Sequence, residues 1–170
     1  MSTRNYSSRW TATFLAEPIL PENAIITAVS VVAFTETGKF IAILQPRGLC
    51  IPGGHIESEE TPEQAVYREA LEEAAISQLG ELTLTSVIRG DVGHMISYTA
   101  ELRKMEEFFA ENTDGEVLER LEMFPEEFLE DKRVGKISRE IVVRATAMYA
   151  NIKNGDMPPI FKEVAFLIGE

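Results

Sequence analysis

Residues 54–76 read GHIESEETPEQAVYREALEEAAI and follow directly on Ile51-Pro52-Gly53, a short apolar, glycine-marked turn. Glu69, Glu72 and Glu73 stand at i, i+3 and i+4, which puts the three carboxylates on one face of a helix. Like charges so placed repel one another unless a cation sits among them, and a hard divalent ion such as Mg²⁺ takes oxygen ligands. The helix start is written just upstream. Thr61 suits the N-cap, Pro62 the first helical position, and Gln64 stands three residues past the cap. Ala65, Val66, Ala70, Leu71 and Ala74 supply an apolar side, and Arg68 stands four residues before Glu72, within reach of an ion pair. An isolated acidic helix face is ordinarily just solvated. Here the glycine entrance, Glu60 and the ordered spacing argue for a site.

The same stretch resembles the signature of the Nudix hydrolases: Gly, five residues, Glu, seven residues, then Arg-Glu-apolar-x-Glu-Glu-x-Gly-apolar. Gly54, Glu60, Arg68, Glu69, Ala70, Glu72, Glu73 and Ile76 fall in register, and Ala75 stands where the family has Gly. The resemblance covers this box and its Pro-Gly-Gly entrance. It implies an α/β (α+β) fold, the Nudix α/β/α sandwich with a mixed central sheet. It also implies metal-dependent hydrolysis of a pyrophosphate bond in a nucleoside diphosphate linked to another moiety, with Mg²⁺ or Mn²⁺. Carboxylates suit that chemistry despite their sign, because divalent ions bridge them to polyphosphate and lower the pKa of bound water.

By the same resemblance Glu69 and Glu73 are metal ligands, and Glu72 is a ligand or a water-positioning base. Glu60 reaches the metal directly or through water, and the Gly53 carbonyl adds an oxygen. Arg68 orients a carboxylate. Some family members place the base outside the box, which makes Glu116 and Glu119 candidates; the catalytic set is then Glu72, Glu73, Arg68 and Glu116. Gly53 and Gly54 are expected to adopt positive φ. Ala75 is expected to push helix termination toward Ser77–Gly80, since a left-handed residue with a Cβ costs roughly 1 kcal/mol or more.

The whole chain, 170 residues with 45% hydrophobic and 26% charged content, fits a single soluble globular domain over 1–170. No apolar run approaches the ~20 residues of a membrane span. The start, MSTRNYSSRWTATFLAEP, lacks the apolar stretch of a secretory signal, so a cytoplasmic location is expected. The formal charge of −12 opposes unassisted binding to nucleic acid or anionic membrane. Half of it lies within 54–76, where seven Glu accompany one Arg. The acidic stretch Glu106–Asp131 reads as a solvated surface. Cys50, the lone cysteine, reads as a small buried hydrophobe rather than a nucleophile.

Outside the box, Ala24–Thr35 and Phe40–Gln45 read as strands around a Glu36–Lys39 turn, the first buried on both faces. Leu82–Arg89 and Met95–Leu102 read as strands around Gly90–Gly93. Val117–Phe124 fits strand or helix; the family fold favours a strand, with a short helix from Pro125 to about Asp131. Ile137–Lys153 has helical periodicity and stops before Asn154-Gly155, and the tail PPIFKEVAFLIGE supplies one more strand, at an edge or against a partner chain.

The resemblance implies a small-molecule nucleotide as substrate. Markers of the ADP-ribose, dinucleoside polyphosphate, NADH and coenzyme A subfamilies are absent, which leaves a nucleoside triphosphate or nucleotide sugar as the default. Phe34, Phe40, Tyr98, Phe108 and Phe109 are weighed as base-stacking residues, though such spacing is usually core. Asp91 and His94 are weighed as substrate contacts. A Nudix-fold binding or sensor module without turnover is the alternative, and an N-terminal segment with Tyr6, Trp10 and Phe14 leaves a homodimer open.

Overall fold

The structure is a computed structural model that describes residues 9–169. Its elements run β1 (Trp10–Phe14), β2 (Ile26–Phe34), β3 (Phe40–Gln45), β4 (Gly48–Cys50), β5 (Gly53–His55), α1 (Pro62–Ala74), β6 (Ile76–Leu79), β7 (Thr83–Arg89), β8 (His94–Met105), a 3₁₀ turn (Ala110–Thr113), β9 (Glu119–Met123), α2 (Pro125–Glu130), α3 (Lys136–Asn154) and β10 (Val164–Ile168). Strand order along the sheet is β10-β1-β7-β8-β2-β3-β4, with β5 added to β2, β6 to β8 and β9 to β3. The β2–β8 pair is parallel and all other pairs are antiparallel, so the sheet is mixed.

The apolar run of β2 is buried on both faces, as its composition demands. Val29, Val31 and Ala33 pack with Ala65, Val66, Ala70 and Ala74 of α1. Val32 and Phe34 face the other way, onto Phe128 of α2 and Ile141, Val142, Ala145 and Tyr149 of α3. Burial between helix layers offers each side chain an apolar partner whichever way the pleat turns it. This is the expected α/β/α layering.

Helix α1 begins as its sequence dictates. The Thr61 side chain accepts from the Gln64 amide, and the Gln64 side chain accepts from the Thr61 amide, a complete capping box ahead of Pro62. Its end differs from expectation. The helix stops at Ala74, and Ala75 itself takes the left-handed conformation at φ 52, ψ 34, with no extension toward Gly80. Tertiary contacts hold it there. The Ala75 carbonyl accepts from Glu106 N at 2.8 Å, Arg120 Nη1 donates to the Ala74 carbonyl at 2.8 Å, and β6 pairs with β8 from Ile76 onward. Leu71, assigned by sequence to the apolar side, is exposed, whereas Glu73 is buried.

The C-terminal strand covers β1, pairing Trp10 with Ile168 through Phe14 with Val164. Arg144 of α3, fully buried, donates to the Leu15 and Lys162 carbonyls and to Glu140, pinning both flanks of this edge. Tyr6 lies outside the described residues. Phe14 is buried in the core, and Trp10 is half-buried against it. Among the described residues no helix is long and apolar enough to cross a membrane.

Candidate functional site

Strand β5 joins the glycine entrance to the middle of the sheet: Ser30, Val29 and Ala28 of β2 pair with Gly53, Gly54 and His55. The fit is tight. A Cβ on Gly53 would lie 2.3 Å from the Val29 carbonyl oxygen, and one on Gly54 would lie 2.4 Å from Glu69 Oε1. Neither residue has the positive φ expected of it. These glycines are required by close approach, one to a neighbouring strand and one to a carboxylate.

Glu73 is 4% exposed and its carboxylate is held at both ends. Gly53 N donates to Oε1 at 2.8 Å, and Gln45 Nε2 donates to Oε2 at 2.8 Å. Burial pushes the Glu73 carboxyl up to about 7 despite the Gly53 bond, and the charges of Glu69 and Glu116 push the same way. Glu69 is raised as well, by burial first, with Glu72 and Glu116 adding to it against the opposing pull of Arg68.

Arg68 gathers the rest of the acidic set. Its Nε donates to Glu60 Oε1 at 2.7 Å and Nη2 to Glu60 Oε2 at 3.0 Å. Nη1 donates to Glu69 Oε1 at 2.8 Å and to Glu72 Oε2 at 3.3 Å, while Nη2 also donates to the His55 carbonyl. The guanidinium thereby fixes the loop to the helix, and its hydrogen bonds hold the Glu60 carboxyl below its ordinary range. The expected Arg68–Glu72 pair is present but the longest of these contacts, because the Glu72 side chain is 59% exposed.

Glu69, Glu72, Glu73, Arg68, Gly53 and Glu116 all line one cleft of about 620 Å³, together with Gln45 and Arg47. Glu116 arrives from the loop after the 3₁₀ turn, 43 positions beyond Glu73 in sequence but electrostatically coupled to it. Glu60 does not line the cleft; both its oxygens face Arg68 and the Glu57 amide. Glu119 lies on β9 opposite Leu44, away from the cleft. Asp91 and His94 line neither this cleft nor its neighbour. Phe34 and Phe40 are core, Tyr98 donates to Glu63, and Phe108 lies beneath Arg120. Cys50 is half-buried rather than a fully buried hydrophobe: its thiol donates to Gln45 Oε1, and burial pushes it up to about 11.

A second cleft of about 430 Å³ adjoins the first and shares Arg47, Gly53, Gly54 and His55 with it. Trp10, Ile88, Met95, Ile137 and Ile141 give it an apolar lining. Sequence reading missed Gln45, Arg47 and Trp10 as cleft residues. A polar Gln closing the otherwise apolar run FIAIL was the available signal for the first.

Among the described residues no three acidic, His or Cys side chains close into a ready cage, since Arg68 stands between them. The donor set nevertheless fits a hard divalent cation. It is all oxygen, and the carboxyls of Glu69 and Glu73 are both raised, by burial first and then by neighbouring carboxylates that include Glu116, as expected where acidic groups crowd without enough positive charge.

A mixed sheet between helices thus carries an acidic helix entered through glycines. The NUDIX domain family model matches residues 25–145, and the chain belongs to the Nudix family, hydrolases that act on pyrophosphate bonds of nucleoside diphosphate derivatives and generally use divalent metals. No curated protein matches the chain. Solved structures similar in fold include a mutant of the Bacillus subtilis pyrophosphohydrolase BsRppH, 19% identical, with a TM-score of 0.61 over 91% of this chain and 96% of that one. A C. elegans Ap4A hydrolase in binary complex is 18% identical, with a TM-score of 0.58 over 73% and 98%. A NUDIX-family hydrolase from Clostridium perfringens is 24% identical, with a TM-score of 0.55 over 73% and 94%.

Proposed function

We propose that this chain, as one Nudix domain, hydrolyses the pyrophosphate bond of a nucleoside triphosphate or nucleotide sugar with Mg²⁺ or Mn²⁺. One observation carries the reading: Glu69, Glu73 and Glu116 converge on a single cleft whose glycine wall continues into an apolar cleft of nucleoside size. Glu69, Glu73 and Glu72 are the residues that would hold the cation, with the Gly53 carbonyl in support, while Glu60 acts through its two bonds to Arg68. When bound, the ion neutralises phosphate charge and acidifies water. Arg68 acts by keeping Glu69 and Glu60 in place rather than by touching substrate, as its five donor contacts indicate.

Glu116 is exposed and free to accept a proton from water at the open side of the cleft, and Glu72 stands at the same rim. Trp10 and Met95 form the apolar bed for the base. The nucleotide reading is in keeping with the pyrophosphohydrolase and Ap4A hydrolase among the similar structures. A panel of canonical and oxidised nucleoside triphosphates, nucleotide sugars, ADP-ribose, dinucleoside polyphosphates and coenzyme A, each with Mg²⁺ and with Mn²⁺, tests it. Turnover of a triphosphate or nucleotide sugar is expected. Binding without hydrolysis across the panel would favour a sensor module instead.

A further inference from the structure

We infer that Gln45 is a positioning residue for the metal site: its side-chain amide, locked by Arg47 and Cys50, holds Glu73 in the orientation in which it faces the cleft. The inference rests on the reading of Glu73 as a ligand and adds a residue that lies outside the box. Gln45 is the last residue of β3, buried to 9% exposure, where the strand turns through Pro46-Arg47 into β4. A buried amide at such a place must find partners for both ends, and its two ends are chemically opposite.

Every contact of the side chain points one way. Oε1 accepts from Arg47 Nε at 2.8 Å and from Cys50 Sγ at 3.2 Å. Two donors on one oxygen forbid the flipped amide, so Nε2 is the atom presented to Glu73 Oε2, at 2.8 Å. Gly53 N holds the other oxygen. Glu73 is thus gripped by donors at both oxygens, each with a lone pair left over for a cation. Without Gln45 the carboxylate would keep one grip and gain a torsional freedom that a ligand must lose on binding. Supporting groups of this kind typically contribute about 10–100-fold to metal affinity or activity.

The test uses the full chain and Mn²⁺ alone, with free ion followed by its paramagnetic resonance, so the readout needs no turnover. Gln45→Leu is expected to weaken Mn²⁺ binding about tenfold or more and to lower kcat with KM little changed. In a Glu73→Gln background the same substitution is expected to do nothing beyond twofold, because the group it orients is gone. Arg47→Leu, at an exposed position, supplies a second variant where Gln45→Leu does not fold. Coulomb's law alone says that removing this cation strengthens Mn²⁺ binding; the locked amide says that it weakens it, by threefold or more. Unchanged Mn²⁺ affinity in folded Gln45→Leu overturns the inference, as do losses that add to those of Glu73→Gln or tighter binding by Arg47→Leu. Wild-type protein that binds no Mn²⁺ overturns the metal reading itself, and is distinguished by the wild-type titration.

Discussion

The backbone amide of Gly53 donates to the carboxylate of Glu73 at 2.8 Å, across twenty positions of sequence. This bond ties the glycine entrance to the acidic helix α1, where two adjacent glycines serve different ends. At Gly53 a Cβ would meet backbone of β2, which cannot retreat; at Gly54 it would meet the end of the Glu69 side chain, which can. Gly53→Ala is therefore expected to destabilise the fold by about 1–3 kcal/mol, the range for overpacking. Gly54→Ala should leave the melting temperature nearly unchanged and instead weaken metal binding, because Glu69 is displaced. Denaturant unfolding and a metal titration on the two variants read the contrast, and equal stability losses would refute it.

Arg68 holds Glu60 with two bonds and Glu69 with one, at a side chain only 21% exposed. Arg68→Ala frees the Glu60 loop from the helix and strands the Glu69 carboxylate, whose side chain is 13% exposed. A loss of about 1–3 kcal/mol is expected from an unmatched buried acceptor. Arg68→Lys should recover only part of this, since an ammonium cannot reproduce the planar fork. Activity falls in both. Unfolding curves for the three proteins rank them, and a fully stable Arg68→Lys would remove the fork from the account.

Ala75 has a Cβ and a φ of 52. Replacing it by Gly relieves a left-handed conformation costing roughly 1 kcal/mol or more, and part of that gain returns as the entropy of a freer unfolded chain. Ala75→Gly is expected to raise stability by up to about 1 kcal/mol and to retain activity, since the residue lines neither cleft. A loss of turnover in a protein of unchanged fold would show that Ala75 does more than end the helix.

What was legible in the sequence was local. The capping box of α1 and the turn at Glu36–Lys39 depend on residues within a few positions, and the structure has them where the pattern puts them; α3 runs one residue past its expected stop, through Asn154 to a left-handed Gly155. The spacing of Glu69 and Glu73 was also local, one helical turn. The left-handed Ala75 was not legible, because Arg120 and Glu106, 45 and 31 positions away, hold the carbonyls around it. Nor was the role of Gln45, which depends on the register that sets Cys50 opposite Ile43 and on α1 returning Glu73 to the end of β3. Composition carries no record of such meetings.

The raised proton affinity of Glu73 has a pH signature in metal-free protein. Its carboxyl titrates at about 7 when folded, against an ordinary 4.5. The folded state therefore binds the proton more tightly than the unfolded chain. The stability linked to this group is fully present below about pH 4.5 and is lost as pH rises through 7. With a chelator present, the melting temperature is expected to fall between about pH 5 and pH 8, and more steeply than in Glu73→Gln, which has no proton to lose. Parallel curves for the two proteins would place the pH dependence elsewhere.

Divalent ions should reverse that slope, because they bind carboxylates that are deprotonated and crowded in the folded state and dispersed in the unfolded chain. Stabilisation by a ligand of the native state grows as RT ln(1 + [L]/Kd), about 2.7 kcal/mol at a hundredfold excess over Kd. At about pH 8 millimolar Mg²⁺ or Mn²⁺ is expected to raise the melting temperature by several degrees, and at about pH 5, with Glu73 protonated, by much less. Glu73→Gln should lose most of the increment seen at the higher pH and most of the turnover while keeping its fold. A melting curve indifferent to both ions there would leave the cluster of Glu69, Glu73 and Glu116 without its cation. Full activity in Glu73→Gln would take the ligand role from Glu73, and with it the reason for Gly53 and Gln45 to grip that side chain from both ends.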